Sequence, residues 1–361
     1  MVTPSRSLEQ ADRLRCESFE EGIEALFEQR WSDGLPLVPA TVDAVQQMVR
    51  GGGRPPGGTL GGLEERGREV TVWQAAVCAV MAGCLPSYFP IVLATWDAMF
   101  DPAFNLHAVL SSTGGAAIAA VASGPYAAEI GMNAGANLLG PGNRPNATIG
   151  RAVRLGAMAA LDARPGELDA SSFGHAGKLT FHFREGLSPS GWRPLRERLG
   201  HPASSTTVTL LPADAPRQVV QRFGGDPDAL LRTLAAPLRD PSQNGTGTGT
   251  SCIVVLGPEH ASILAGAGLG PSDVQAAISE HSHVTRAELA AAGVDPAAAT
   301  TYHRSADADG RILTVAPEHV VVACAGGAGA GWSVVIPAWA RTATARPTTR
   351  PVDVPGEPTP P

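Results

Sequence analysis

The chain has 361 residues and a formal net charge of −7, with 43% hydrophobic and 17% charged residues. This composition excludes a chain that is disordered throughout, and an acidic chain without a run of Lys and Arg argues against nucleic acid or an anionic membrane surface as the main partner. We therefore expect a small molecule as the partner, and the sequence leaves open whether the chain forms a homo-oligomer.

Three features of the sequence bear on its location. The most apolar stretches, around residues 77–93 and 116–121, are interrupted by Gly or Pro or are short, below the roughly 20 residues that a membrane-spanning helix needs. The first 15 residues are charged and lack the apolar core of a signal peptide. Five cysteines stand at scattered spacings without a C-x-x-C pair, which predicts reduced thiols. We expect a cytoplasmic protein without a membrane partner.

The first hundred residues predict helices joined by turn-rich loops. Apolar residues at helical spacing predict a helix over residues 8–29, and capping oxygens at Thr41 predict a second helix after it. Two more helices, over residues 71–82 and 86–100, are apolar enough to be largely buried. The glycine-rich segment 51–62 is expected to be a flexible surface connection.

Strands and one further helix follow. Residues 116–124 are short and apolar enough for a buried strand, and residues 148–161 resume helical spacing, with Asn146 at the position of the N-cap. The segments "KLTFHF" (178–183) and "TTVTLL" (206–211) alternate as strands do.

The second half of the chain predicts a more regular strand–helix unit. "SCIVVL" (251–256) should be a strand, followed by a helix with Pro258 in its first turn and two further helices, the last with a capping box at Thr285 and Glu288. "HVVVAC" (319–324) and "WSVVIP" (332–337) should be strands around a glycine loop. Alternating strands and helices favour a parallel or mixed sheet.

These elements predict a mixed α/β (α+β) fold with three parts. Residues 1–200 form an N-terminal domain, helical and rich in loops with short strands, that carries the expected site. Residues 201–340 form a smaller C-terminal α/β domain, and the Pro- and Thr-rich residues 341–361 form a disordered tail.

The Asn- and Gly-rich segment 135–152 invites two interpretations. Turns and a helix cap explain Asn133, Asn137, Asn143 and Asn146 without any function. The alternative is an anion-binding loop, because glycine permits close backbone approach and a helix N-terminus presents unpaired N–H groups. Arg144 would add positive charge there.

Cys84 and His107 are the candidate reactive groups. Cys84 lies between a helix end at Gly83 and a helix start at Pro86, where a thiol can reach a cavity and a helix N-terminus lowers its pKa. A buried structural cysteine is the alternative. His107 is a candidate base in the segment "FNLH".

Four loop residues complete the candidate set. His175 and Lys178 lie close together in "GHAGK", with Lys178 as an anion contact or proton donor, although a solvated lysine explains the pattern equally well. Asp33 and Asn244 lie in Asp-Gly and Asn-Gly turns, which functional loops often use. The loop "GGAGAGW" lacks the Lys-Ser/Thr of a Walker-type site, and no G-x-G-x-x-G opens a helix, so a nucleotide cofactor is not expected.

Five long segments of the first half stand out: "DGLPLVP", "AVMAGCLPSYFP", "FNLH", "EIGMNAGANLLGPGNRPNATIGRA" and "GKLTFHF". Together they resemble a bacterial protein family of unknown function that is often found with UGSC-type (seleno)proteins. The resemblance covers residues 31–192 most strongly, and "VVLGPEHA" and "CAGG" more loosely. It implies a shared site without implying a reaction.

The resemblance assigns the shared site to nine positions: Asp33, Cys84, His107, Asn133, Asn137, Asn143, Arg144, Asn146 and Lys178. One segment departs from the family pattern. The family continues after the lysine-bearing strand with an acidic, asparagine-containing stretch, whereas this chain has "REGLSPSGW", in which only Glu185 is acidic. The departure fits a member that acts on a different substrate.

The leading hypothesis is an enzyme of specialised metabolism that acts on a small anionic substrate without a cofactor. Cys84 would be the nucleophile or acid and His107 the base, while Lys178 and the Asn-rich loop hold an oxyanion or carboxylate during acyl transfer or carbon–heteroatom bond cleavage. One alternative is a non-catalytic binding protein for an anionic metabolite. The other is a metal-dependent lyase or hydrolase that uses His107, His175 and Cys84.

Overall fold

The computed structural model describes residues 14–222, 225–239, 250–293, 310–329, 331–339 and 346–356. The helices of the first half are α1 (Phe19–Glu28), α2 (Val42–Gly52), α3 (Val72–Ala82), α4 (Phe89–Met99), α5 (Leu106–Ser111), α6 (Pro125–Glu129), α7 (Arg144–Ala160) and α8 (Leu195–Arg198). Those of the second half are α9 (Pro227–Ala235), α10 (Pro258–Gly266), α11 (Pro271–His281) and α12 (Arg286–Ala291).

The strands are β1 (Thr59–Leu63), β2 (Arg68–Thr71), β3 (Ala117–Ser123), β4 (His182–Arg184), β5 (Thr207–Ala213), β6 (Arg217–Val220), β7 (Thr250–Leu256), β8 (His283–Thr285), β9 (Arg311–Leu313), β10 (Val315–Cys324), β11 (Trp332–Pro337) and β12 (Thr348–Pro351). Two four-stranded sheets dominate. The first sheet has the order β12-β5-β3-β4 and the second sheet the order β10-β7-β11-β6. Each contains one parallel pair, β3 with β4 and β7 with β10, so both sheets are mixed and the predicted α/β class is confirmed.

The two sheets pack face to face beneath helices on both sides. Along β3, Ala119 and Val121 join an apolar layer shared with β7 and β10, whereas Ala120 and Ala122 join the core formed with α3, α4 and α7. Side chains on β7 alternate in the same way between the shared layer and the core formed with α9, α10 and α11. The result is a four-layer helix–sheet–sheet–helix arrangement, in which central strands are apolar on both faces.

The predicted domain boundary does not follow the sheets. Strand β5 lies beyond residue 200, yet it pairs with β3 at the centre of the first sheet. The disordered tail is wrong for residues 346–356, because β12 pairs with β5 and Val352 packs into the core beneath it. Residues 341–345 and 357–361 of the predicted tail lie outside the described residues.

Other boundaries also differ from the predictions. Residues 14–18 are not helical, and α1 begins after Ser18, whose hydroxyl caps it. The segment 51–62 is partly regular, since α2 runs to Gly52 and β1 begins at Thr59. Only His182 and Phe183 of "KLTFHF" belong to a strand, β4, which continues to Arg184, and Lys178 lies in a 3-10 turn. The helices after Thr41 and Thr71 and the capping box at Thr285 are confirmed.

Helix α7 lies unusually close to its neighbours because two of its residues are glycines. A Cβ at Gly150 would lie 2.4 Å from Thr180 Oγ1 and 3.1 Å from the backbone nitrogen of Phe181. A Cβ at Gly156 would lie 2.7 Å from the Trp96 ring. The missing side chains therefore set how closely α7 approaches β4 and α4.

We predict that Gly150→Ala destabilises the protein by about 1–3 kcal/mol, because the added methyl group overlaps the chain entering β4. Gly266→Ala is the matched control, since a Cβ there meets nothing within 4 Å and alanine favours a helix. Denaturant unfolding of both variants measures the effect. Equal stability of Gly150→Ala and the wild type would contradict the close approach.

His182, on β4 against α7, is completely enclosed. Both ring nitrogens are buried without a hydrogen-bond partner, and burial lowers the pKa of His182 from 6.5 to about 3. The folded protein therefore holds the ring neutral. Below pH 6.5 the unfolded chain takes up a proton that the folded chain does not, so stability falls as the pH drops from about 6.5 towards 3.

We predict that His182→Leu removes part of this acid sensitivity. The slope of unfolding free energy against pH within that window should decrease by roughly 1 kcal/mol per pH unit. Phe183→Leu, a change at a buried neighbour without a titratable group, should lower stability by a similar amount at every pH. Denaturant unfolding across the window measures both, and an unchanged slope for His182→Leu would disprove the assignment.

Candidate functional site

A cavity of about 590 Å³ opens beside the second half of α7 and brings together the candidates Asp33, His175 and Lys178. Its walls come from the end of α1, the loop 32–34, the second half of α7 and two stretches of the segment 164–179. We call it the Asp169 cavity, after the carboxylate among its cations. Its volume is in the range of small-molecule sites.

Asp169 connects three of the groups that line this cavity. Its carboxylate accepts hydrogen bonds from Lys178 Nζ at 2.8 Å, from Ser171 Oγ at 2.6 Å and from Arg154 Nη2 at 2.5 Å. Lys178 Nζ also donates to Ser171 Oγ at 2.6 Å. The Asp169 side chain is only 4% exposed.

The ionisation of this network follows from its contacts. Burial raises the pKa of Asp169, but the hydrogen bonds from Lys178 and Ser171 and the charge of Arg154 outweigh it and hold that pKa at about 2. Burial lowers the pKa of Lys178, while Asp169 acts in the opposite direction. At neutral pH Asp169 is therefore a carboxylate between two cations, and it is too weak a base to activate a hydroxyl.

Asp33 fixes a second wall. Both of its oxygens accept from Arg151, at 2.7 and 2.8 Å, and its side chain is 3% exposed. Arg151 also donates to the carbonyls of Leu35 and Pro36. The pair holds the loop to α7, and Asp33 Oδ1 also accepts from the backbone N–H of Leu35 within the loop, so Asp33 lines the cavity as a positioning residue.

Arg164 differs from the other cations of the cavity. In the part of the chain that the structure describes, its guanidinium has no ion pair and donates no hydrogen bond, and its Nε is buried without a partner. Arg30, by contrast, pairs with Glu167. A buried donor without a partner costs free energy that a ligand oxygen would recover.

The charges of the cavity do not balance. The charged residues that line it, together with their ion-pair partners Glu167 and Arg151, comprise five cations and three carboxylates. His175, also in the lining, adds no charge at neutral pH, since burial lowers its pKa while Asp214 acts against that effect. The excess of two positive charges favours an anionic ligand.

The asparagines of the Asn-rich segment bind the chain itself. Asn143, and not the predicted Asn146, caps α7. Asn146 is buried and exchanges two hydrogen bonds with the backbone of Asn133, whose own side chain holds the following turn. Asn137 lies in the left-handed region with φ 56° and donates to the carbonyl of Pro141. These contacts support the interpretation of the segment as turns and a cap.

Cys84 is next to that segment but does not open into the Asp169 cavity. Arg144 donates twice to the carbonyl of Gly83, and the Cys84 thiol contacts Thr148, so the expected proximity is present. The sulfur lies in the helical core, and burial raises the pKa of Cys84 to about 12 despite Thr148 and the charge of Arg144. A neutral, enclosed thiol opposes the expected role as nucleophile.

The remaining candidates are separated from one another. His107 lies on α5 and does not line the Asp169 cavity, whereas His175 does. No three His, Cys, Asp or Glu side chains in the described ranges lie together as metal ligands, so the structure does not assemble the expected trio of His107, His175 and Cys84. Asn244 lies outside the described residues.

Four residues of the cavity were missed by the sequence interpretation: Arg154, Arg164, Asp169 and Ser171. One signal pointed to Arg154, because it lies three residues after Arg151 and therefore on the same side of a helix. Asp169 and Ser171 follow a helix end in a segment without regular spacing, and no local pattern distinguished them from a surface loop.

Comparisons with known proteins add no family assignment. No protein-family model matches the chain, and no curated protein matches it.

None of the helices in the described residues combines the length and apolar character that a membrane span requires.

We predict that Cys84 resists alkylation in the folded protein. A pKa of about 12 in place of 9.0 lowers the thiolate fraction at neutral pH about a thousandfold. Iodoacetamide labelling followed by peptide mass spectrometry should modify the half-buried Cys16 first, and the two cysteines should react alike after denaturation. Labelling of Cys84 as fast as Cys16 in the folded state would restore the nucleophile hypothesis.

Proposed function

We propose that this protein binds a small organic anion in the Asp169 cavity. The observation that carries the proposal is the excess of two positive charges in a cavity where Arg164 has no partner among the described residues. The proposal keeps the expected anionic small-molecule ligand and moves its site away from Cys84.

Arg164 is the group best placed to hold the anion. A guanidinium presents paired N–H donors that match the two oxygens of a carboxylate or the oxygens of a phosphate. The other cations of the cavity already have protein partners, so a ligand that bound them alone would compete with Asp169 or Glu167. Arg164 binds without that competition, and the surrounding positive field adds to it.

Turnover of the bound anion is a second candidate function, and the position of Lys178 favours it. Its ammonium group lines the cavity and lies 2.6 Å from the hydroxyl of Ser171. Burial lowers the pKa of Lys178 while Asp169 opposes that effect, so the ammonium group would act as a proton donor or stabilise a developing oxyanion. Lys178→Met should lower affinity in a binding protein, and should abolish product formation in an enzyme.

We predict that Arg164→Gln weakens anion binding about 10- to 100-fold, since a hydrogen bond to a charged group contributes about 1.5–3 kcal/mol. Calorimetric titration with succinate and inorganic phosphate tests this, with succinamide as the neutral analogue that should not bind. Arg68→Gln is the matched control, because Arg68 pairs with Asp162 outside the cavity.

Two results would reject the proposal. One is that neither anion binds the wild-type protein more tightly than succinamide does. The other is that Arg164→Gln and Arg68→Gln bind the anions equally well.

A further inference from the structure

The Asp169 cavity has an apolar wall beside its cationic one. Phe27, Met158, Phe173 and Leu179 all line it. On α7 the cation Arg154 is followed four residues later by Met158 on the same side of the helix, and along the chain Lys178 is followed directly by Leu179. The apolar surface therefore adjoins the charged surface along two separate elements.

Two of these apolar side chains are exposed to solvent. Phe173 is 100% exposed and Leu179 is 43% exposed. A phenylalanine ring wholly in water gains free energy from any apolar surface that covers it. A molecule that covers the Phe173 ring would also lie next to the cations of the cavity, so it should carry a group that pairs with positive charge.

The size of the cavity argues against a ligand that is only a small ion. A single phosphate or acetate fills only a small part of about 590 Å³ and leaves the apolar wall in contact with water. A ligand that uses both walls needs an anionic group and an apolar group close to each other. The positive charge of Arg164 determines the orientation of such a ligand, because its anionic group binds there.

We infer that the ligand is an amphipathic organic anion whose anionic group binds Arg164 and whose aromatic or branched apolar group packs against Phe173 and Leu179. This inference rests on the proposed function, and it adds the chemical class of the ligand. Phe173 is a specificity-determining residue in this arrangement, and Arg164 supplies the binding of the charge.

Phenylacetate and acetate form the matched pair of probes that tests the inference. Calorimetric titration of the full chain should give a dissociation constant for phenylacetate at least tenfold below that for acetate, because ring burial adds hydrophobic free energy. In Phe173→Ser the ratio of the two constants should fall below about threefold. Leu187→Ser, at a residue 98% exposed outside the cavity, should keep the wild-type ratio.

The outcomes separate the inference from the function on which it rests. Equal binding of acetate and phenylacetate, with both weakened by Arg164→Gln, would overturn the amphipathic ligand and leave anion binding intact. Binding of inorganic phosphate as tightly as phenyl phosphate would likewise overturn the role of the apolar wall. Binding of phenylacetamide as tightly as phenylacetate, unaffected by Arg164→Gln, would reject anion recognition itself. The melting temperature of Phe173→Ser should equal that of the wild type, because its ring is fully exposed.

Discussion

Three arginines on one side of α7 bind segments that are distant from one another in sequence, and the geometry of the candidate site depends on two of them, Arg151 and Arg154. Arg144 binds the carbonyl of Gly83, Arg151 binds Asp33, and Arg154 binds Asp169. Steps of seven and three residues keep side chains on the same side of an α-helix, so a single helix aligns three loops that are distant in sequence. Because Asp33 is buried and pairs with Arg151 alone among the described residues, loss of Arg151 would leave its carboxylate uncompensated, at a cost of about 3–5 kcal/mol, whereas Asp169 would keep Lys178.

Two glycines of the same helix set how closely α7, and with it the arginines, lies against the core. Gly150 and Gly156 let α7 lie directly against the chain entering β4 and against Trp96. A bulkier side chain at either position would move the helix axis away from the core and carry the arginines with it. The polar contacts of the cavity and the close packing of the core thus depend on one another.

Local signals predicted much of the fold, whereas the site depends on long-range contacts. Thr41 and Thr71 predicted the starts of α2 and α3, because a capping hydroxyl accepts a hydrogen bond from a backbone N–H only three residues away. The continuous apolar run of β7 predicted a buried strand. The role of the asparagines was ambiguous from sequence, since an asparagine side chain forms hydrogen bonds with the backbone and with a ligand equally well.

Cys84 shows the same limit of sequence interpretation. Its place between two helices suggested access to a cavity, but its burial depends on helices that pack over it from elsewhere in the chain. β12 was missed because Pro and Thr are typical both of disordered segments and of edge strands. The ion pair of Asp169 with Arg154 spans a helix end, and that of Asp33 with Arg151 spans 118 residues, so no local window contains the second pair.

The pairing of β12 with β5 has a consequence for synthesis on the ribosome. The hydroxyls of Thr209 and Thr349 meet across that pair although 140 residues separate them. Until the later strand emerges from the exit tunnel, the nascent first sheet presents a bare β5 edge to other chains, which is the type of surface that chaperones shield. Translation speed over the intervening stretch therefore sets how long each newly made molecule is vulnerable to misassembly.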